Sequence, residues 1–130
     1  MKTGEIVTAF YKTGKYIGEV TAAYPDSYTV KILAVLRHPA QGDLHHPNQV
    51  DVPFFHERKA LAHMEQANIP ASTIKPYEGE IPDYRDSLKE AAVTLKNRLE
   101  QDQTAFSEKS LEALKEIQRE YELMYNLTWD

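Results

Sequence analysis

The chain has 130 residues, no cysteine and a formal net charge of -5, which is enough for one hydrophobic core or a small core with an appended subdomain, and too little for two full-sized domains. The lack of cysteine excludes disulfides, thiolate zinc sites, cysteine nucleophiles and lipidated cysteines from these residues. Residues 1–60 carry seven Lys/Arg against six Asp/Glu and residues 61–130 eight against fourteen, and an acidic second half disfavours broad binding to a phosphate backbone or an anionic membrane.

The N-terminus, MKTGEIVTAFYKTGKY, holds no apolar run of roughly 7–15 residues, and nowhere do about 18 apolar residues follow one another, so neither a signal peptide nor a spanning helix is expected. Ile6 to Tyr11 reads as a first strand, and the following Lys12-Thr13-Gly14-Lys15 as a hairpin turn with Gly14 at positive φ. Tyr16 to Tyr24 and Tyr28 to Leu36 each carry apolar residues at every second position, the signature of half-buried strands, and Pro25-Asp26-Ser27 supplies the turn between them. His38 to Gln49 is a long loop by composition, rich in proline, glycine and asparagine. Val50, Val52 and Phe54 alternate with polar or prolyl neighbours as a fourth strand, with Pro53 predicting an edge.

Beyond that point the period lengthens. Leu61, Met64 and Ala67 predict a short helix over residues 57–68 that ends before Pro70. Pro70 to Pro82 is a connector strapped down by Tyr77 and Ile81. Asp83 is the expected N-cap of a long helix with the stripe Tyr84, Leu88, Ala91/Ala92, Leu95 and Leu99. Ser107 is the expected cap of a last helix carrying Leu111, Leu114, Ile117, Tyr121 and Met124/Tyr125.

The predicted fold class is therefore α+β: a small SH3-like antiparallel β-barrel followed by a short helix and a C-terminal helical hairpin. Residues 1–69 hold the barrel and short helix, and residues 70–130 the connector and the hairpin. The hairpin docks on the barrel and the whole forms one cooperative unit.

Four of the five histidines fall between Gly42 and His63. A metal site would need three or four imidazole or carboxylate ligands converging at about 2 Å. Asp43, His45, His46 and His56 are the candidates, but His56-Glu57-Arg58-Lys59-Ala60 fails the HExxH pattern at its fifth position. The preferred reading is structural, with imidazoles satisfying backbone carbonyls and packing the loop. No metal or cofactor is expected. No GxSxG, GxGxxG or phosphate-loop pattern occurs, and no catalytic set is assigned. The candidate partner-binding residues are Asp43, His45 and His46 in the long loop, with Tyr77, Glu78, Glu80 and Tyr84 in and after the connector, where acids alternate with aromatics.

The strings GEIVTAFYKTGKYIGEVT, YTVKILAVLRHPAQGDLH, VPFFHERKALA and KPYEGEIPDYRDSLK occur in that order, and the chain resembles the kinase-associated protein B (kinase-associated lipoprotein B) family of spore-forming Bacillus-type bacteria. The resemblance implies a non-enzymatic accessory protein acting with a membrane sensor histidine kinase, or its regulator, in the sporulation phosphorelay. It implies no catalytic residues. The expected location is cytoplasmic, with membrane association only through a kinase partner. Two alternatives come from other classes. One is a nucleic-acid-binding SH3-like module using Lys12, Lys15, Lys31, Arg37, Arg58 and Lys59, and the other is a histidine-metal hydrolase. A homodimer through the Leu/Tyr-rich helices is a further arrangement compatible with the pattern.

Overall fold

The computed structural model describes residues 1–43 and 45–128. Strands β1 (Ile6–Tyr11), β2 (Gly14–Ala23) and β3 (Ser27–Arg37) form where apolar alternation predicts them, and they are joined by β4 (Gln66–Pro70) and β5 (Lys75–Pro76). The order across the sheet is β4-β3-β2-β1-β5, and every pairing is antiparallel. The first hairpin turns on Lys12 and Thr13, both at positive φ, while Gly14 already pairs with Tyr11.

The sheet curls without closing. β4 and β5 lie at opposite edges, yet a single 3-10 turn, Ala71–Thr73, links them. A flat sheet would put its outer strands about 19 Å apart, given about 4.8 Å per strand pair, further than a link of four residues spans comfortably. Three register shifts between β2 and β3 supply the bending, since each bulge adds right-handed twist. At one of them Gly18 is mandatory, because a Cβ there would sit 2.4 Å from Val30 Cγ1 and 2.6 Å from the Lys31 carbonyl oxygen.

Two expected elements are replaced. Residues 50–54 form no strand but bends within a longer loop, with Phe54 69% exposed, so Pro53 marks no sheet edge. Residues 57–68 form no helix: residues 57–62 are irregular, Met64 takes a left-handed φ of 70°, and Gln66 opens β4. The reason is long-range pairing. The Met64 amide donates to Ile32 and the Ile32 amide to Glu65, which draws this segment onto the β3 edge, and Ile69 is then fully buried.

The helical hairpin follows the predicted stripes except at Met124, which is 58% exposed while Tyr125 beside it is half-buried. α1 (Tyr84–Asp102) is capped by Asp83, which accepts from the Asp86 amide, and it buries Tyr84, Leu88, Ala91, Ala92, Leu95 and Leu99. α2 (Ala105–Tyr125) buries Ala113, Leu114, Ile117 and Tyr121. Its N-cap is Thr104 rather than Ser107, which occupies the third helical position and completes a reciprocal capping box. α1 packs across β3 and pairs with α2. Ser87 on α1 accepts the Val35 amide at 3.0 Å, which ties the helix to β3.

One apolar cluster runs from Val7, Val20, Val30 and Ile32 through Leu88 to Ile117 and Tyr121. Fully burying each aliphatic side chain contributes about 1.5–3 kcal/mol, and the cluster joins sheet to helices. Gly18→Ala is expected to destabilise by about 1–3 kcal/mol, because the obstruction includes backbone. Urea unfolding should show this loss in a single transition followed equally by far-UV and tyrosine signals.

Candidate functional site

Residues 41–43 and 45–58 belong to an Ω-loop whose neck is locked by a buried amide. Gln41 is 5% exposed. Its Nε2 donates to the Arg58 carbonyl at 2.9 Å and to the Pro39 carbonyl at 3.1 Å, while its Oε1 accepts from the Arg58 amide at 2.7 Å. The Gly42 amide donates to His56, and the Arg58 guanidinium to the carbonyls of Ala40 and Gly42. A loop of this length is therefore closed like a short ladder, and its exposed part is presented from a fixed base.

Phe55 anchors the loop to the helices. Its ring lies 5.8 Å from that of Phe106 and under the Lys109 ammonium at 5.0 Å. Phe54 is left outward, stacked on the exposed His56 at 5.9 Å. Asp43 accepts from the His45 amide at 2.9 Å and from the His46 ring at 3.1 Å. The His45 amide, then the His46 ring, hold the Asp43 carboxyl below the usual carboxylate range. These three predicted residues are brought together, with both histidines exposed. No group of three or more His, Asp or Glu side chains forms a metal centre among the described residues.

The other predicted residues lie elsewhere. The connector is fixed by the Tyr77 amide donating to Ile6 and by the Tyr77 hydroxyl donating to the Glu80 carbonyl at 2.6 Å, with Glu78 and Glu80 exposed. Ile81 does not strap it down, being 43% exposed. Tyr84 is removed from the candidate contact set. It is 4% exposed, donates to the Leu61 carbonyl at 2.5 Å, and burial pushes its hydroxyl well above the usual phenol range.

Tyr84 belongs to a set of three hydroxyls around residues 60–61. Tyr16, from β2, accepts the Leu61 amide at 3.2 Å, and Tyr121, from α2, accepts the Ala60 amide at 2.8 Å. The Tyr121 Oη also lies 2.9 Å from His38 Nε2, while His38 Nδ1 lies 3.0 Å from the Pro39 carbonyl. A carbonyl can only accept, so Nδ1 carries the proton and Nε2 accepts from Tyr121. The carbonyl-satisfying role expected of the four histidines between Gly42 and His63 falls instead to His38, outside that run. His46 faces a carboxylate, and His56 and His63 stack on Phe54 and Tyr84.

The cations are dispersed. Lys12, Arg58 and Lys59 border one depression, but Glu57 and Glu65 line it too, Lys59 pairs with Glu120 and Lys31 with Glu19. A separate cleft of about 210 Å³ lies between the start of the Ω-loop and the facing ends of α1 and α2. Neither this cleft nor Gln41, Phe54 and Phe55 is among the sequence-predicted site residues, and Arg58 is so only as a cation of the nucleic-acid alternative. The adjacent Phe54-Phe55 pair in a polar stretch was the available signal. No helix among the described residues is long and apolar enough to cross a membrane.

Comparison with known proteins yields a consistent set of relatives. The family described as Kinase associated protein B matches residues 11–122. The chain is 58% identical over 120 residues to the Kinase-associated lipoprotein B of Bacillus subtilis (strain 168), covering 92% of this chain and 94% of the relative. It is 49% identical to the kinase-associated protein B of Bacillus cereus in its X-ray crystal structure, with a TM-score of 0.80 over 94% of this chain and 98% of that one.

Burial lowers the His38 pKa to about 4, whereas the unfolded chain binds that proton near pH 6.5. Unfolding therefore takes up a proton between these values, so this contribution is fully present above pH 6.5 and declines as pH falls towards 4. The loss amounts to about 3 kcal/mol. Denaturant unfolding at pH 7 and pH 4.5 should show a smaller acid penalty for His38→Gln than for the parent. Equal penalties would show that His38 does not set this dependence.

Proposed function

The chain belongs to the kinase-associated protein B family, and from that premise we propose that it is a non-enzymatic accessory protein that binds the cytoplasmic part of a sporulation sensor histidine kinase through its Ω-loop. The curled sheet, which we read as an SH3-like host, and the docked hairpin serve as the rigid support. The observation that carries the proposal is the contrast within one loop. Its neck is locked by Gln41 and Arg58, while its outer part exposes Phe54, His45, His46 and His56.

An exposed aromatic on a preformed loop suits protein recognition. A partner would bury the Phe54 ring, a change that favours association by the hydrophobic effect, and the fixed neck limits the ordering entropy that binding must overcome. The Asp43–His46 pair in the same loop adds a polar contact. His38, the imidazole with the most perturbed chemistry, is sealed at 3% exposure and bonded at both nitrogens, which supports a structural over a catalytic role.

Calorimetry of the full chain with the kinase's cytoplasmic portion should show saturable binding. Phe54→Ala should weaken it by about tenfold or more, without changing the unfolding midpoint. Leu123→Ala, at an 86% exposed position on α2, should leave it unchanged. Absent binding, or a Phe54→Ala variant that binds like the parent, would overturn the proposal.

A further inference from the structure

The cleft between the Ω-loop and the helices contains an unmet polar group. Ser110 lines it and is 1% exposed, and its Oγ has no hydrogen-bond partner among the described residues. The other buried serines are satisfied: Ser87 donates to the Tyr84 carbonyl and accepts the Val35 amide, and Ser107 donates to the Thr104 carbonyl and accepts the Thr104 amide. A buried hydroxyl without a partner is unfavourable and rare in native proteins, so an unmet one in a cleft points to a ligand that supplies the bond.

The charges around Ser110 specify that ligand. Arg98 and Asp102 line the same cleft one turn apart on α1, about 6 Å along the axis. Neither joins an ion pair among the described residues. Asp102 ends α1, where exposed carbonyls already concentrate negative charge, and no basic residue stands in that last turn. An ammonium group would relieve this end, and a carboxylate would match the planar donors of Arg98. The remaining acid in the lining, Asp43, is already engaged by His46.

The floor is apolar, formed by Leu95, Leu99 and Phe106. At about 210 Å³ the cleft is smaller than the roughly 300–1,000 Å³ of sites for drug-sized ligands. We propose that this cleft binds a free amino acid with an apolar side chain. Its carboxylate sits on Arg98, its ammonium lies at Asp102 and the end of α1, Ser110 completes the polar contacts, and the side chain rests on Leu95, Leu99 and Phe106. The proposal is independent of kinase binding.

Amide-detected NMR titration of the full chain with L-leucine and with L-phenylalanine is the test. Saturable shifts should be confined to residues around Ser110, Arg98 and Gly42, with half-saturation below about 10 mM. Isocaproate, lacking the ammonium, and isoamylamine, lacking the carboxylate, should each bind about tenfold more weakly. Arg98→Ala should abolish saturation. Ser110→Ala should raise the melting temperature of the free protein while weakening the ligand. No saturable shift with either amino acid, equal binding of the single-charge analogues, or a Ser110→Ala variant that is stabilised and still binds like the parent would each overturn the assignment.

Discussion

The structure depends on how one short irregular segment is held between its layers. Residues 60–61 run between the sheet and the helical hairpin with no strand partner, and their polar backbone groups are satisfied by tyrosine hydroxyls instead: Tyr121 for the Ala60 amide, Tyr16 for the Leu61 amide and Tyr84 for the Leu61 carbonyl. An orphaned backbone group there would be costly. Each ring also fills the core, so one residue type supplies both apolar area and the polar end that meets the chain. Burial raises the pKa of all three hydroxyls, Tyr16 to about 12, so they stay neutral through the physiological range. Sheet, helix α1 and helix α2 each contribute one of the three, which makes the passing segment the common joint of the fold.

The Ω-loop and the cleft both follow from that joint. With Ala60 and Leu61 held, Arg58 is delivered to Gln41, and the neck closes on backbone groups rather than on weak surface contacts. Phe55 then docks on Phe106 near Gly42, whose φ of 98° and crowding by both rings suit glycine alone. The loop thus forms one wall of the cleft that α1 and α2 complete. Rigidity at the neck and exposure at Phe54 are two results of the same closure.

Local periodicity made much of this legible. The strands of the N-terminal meander, the Asp83 cap and both helical stripes are visible in the sequence because each depends on neighbours a few positions away. Residues 50–69 are not, and the reason is physical. Leu61, Met64 and Ala67 are spaced as on a helix, but the amides of Ala60, Leu61 and Met64 bond tyrosines 16 and 121 and Ile32, which are contacts no local pattern encodes. Val50, Val52 and Phe54 read as strand because they alternate with polar or prolyl residues, yet Phe54 projects while the neighbouring Phe55 anchors the loop on Phe106. Asp43, His45 and His46 are legible together because they fall in one proline- and glycine-rich loop; the turn in which Asp43 accepts the His45 amide is visible only in the structure. Tyr84 carries two readings in the sequence, first residue of the α1 stripe and last of the acid–aromatic connector, and the structure follows the first by turning that ring inward.

The curled sheet leaves two free edges, and both carry prolines, Pro70 closing β4 and Pro76 closing β5. A proline lacks the amide needed to recruit another strand, and the β5 edge is only two residues long. Open sheets often grow by edge-to-edge addition, and here β5 offers a template of only two residues while β4 offers five, the last of them a proline. An extended segment joining this sheet would find its longer seam along β4 and would lose its pairing at Pro70.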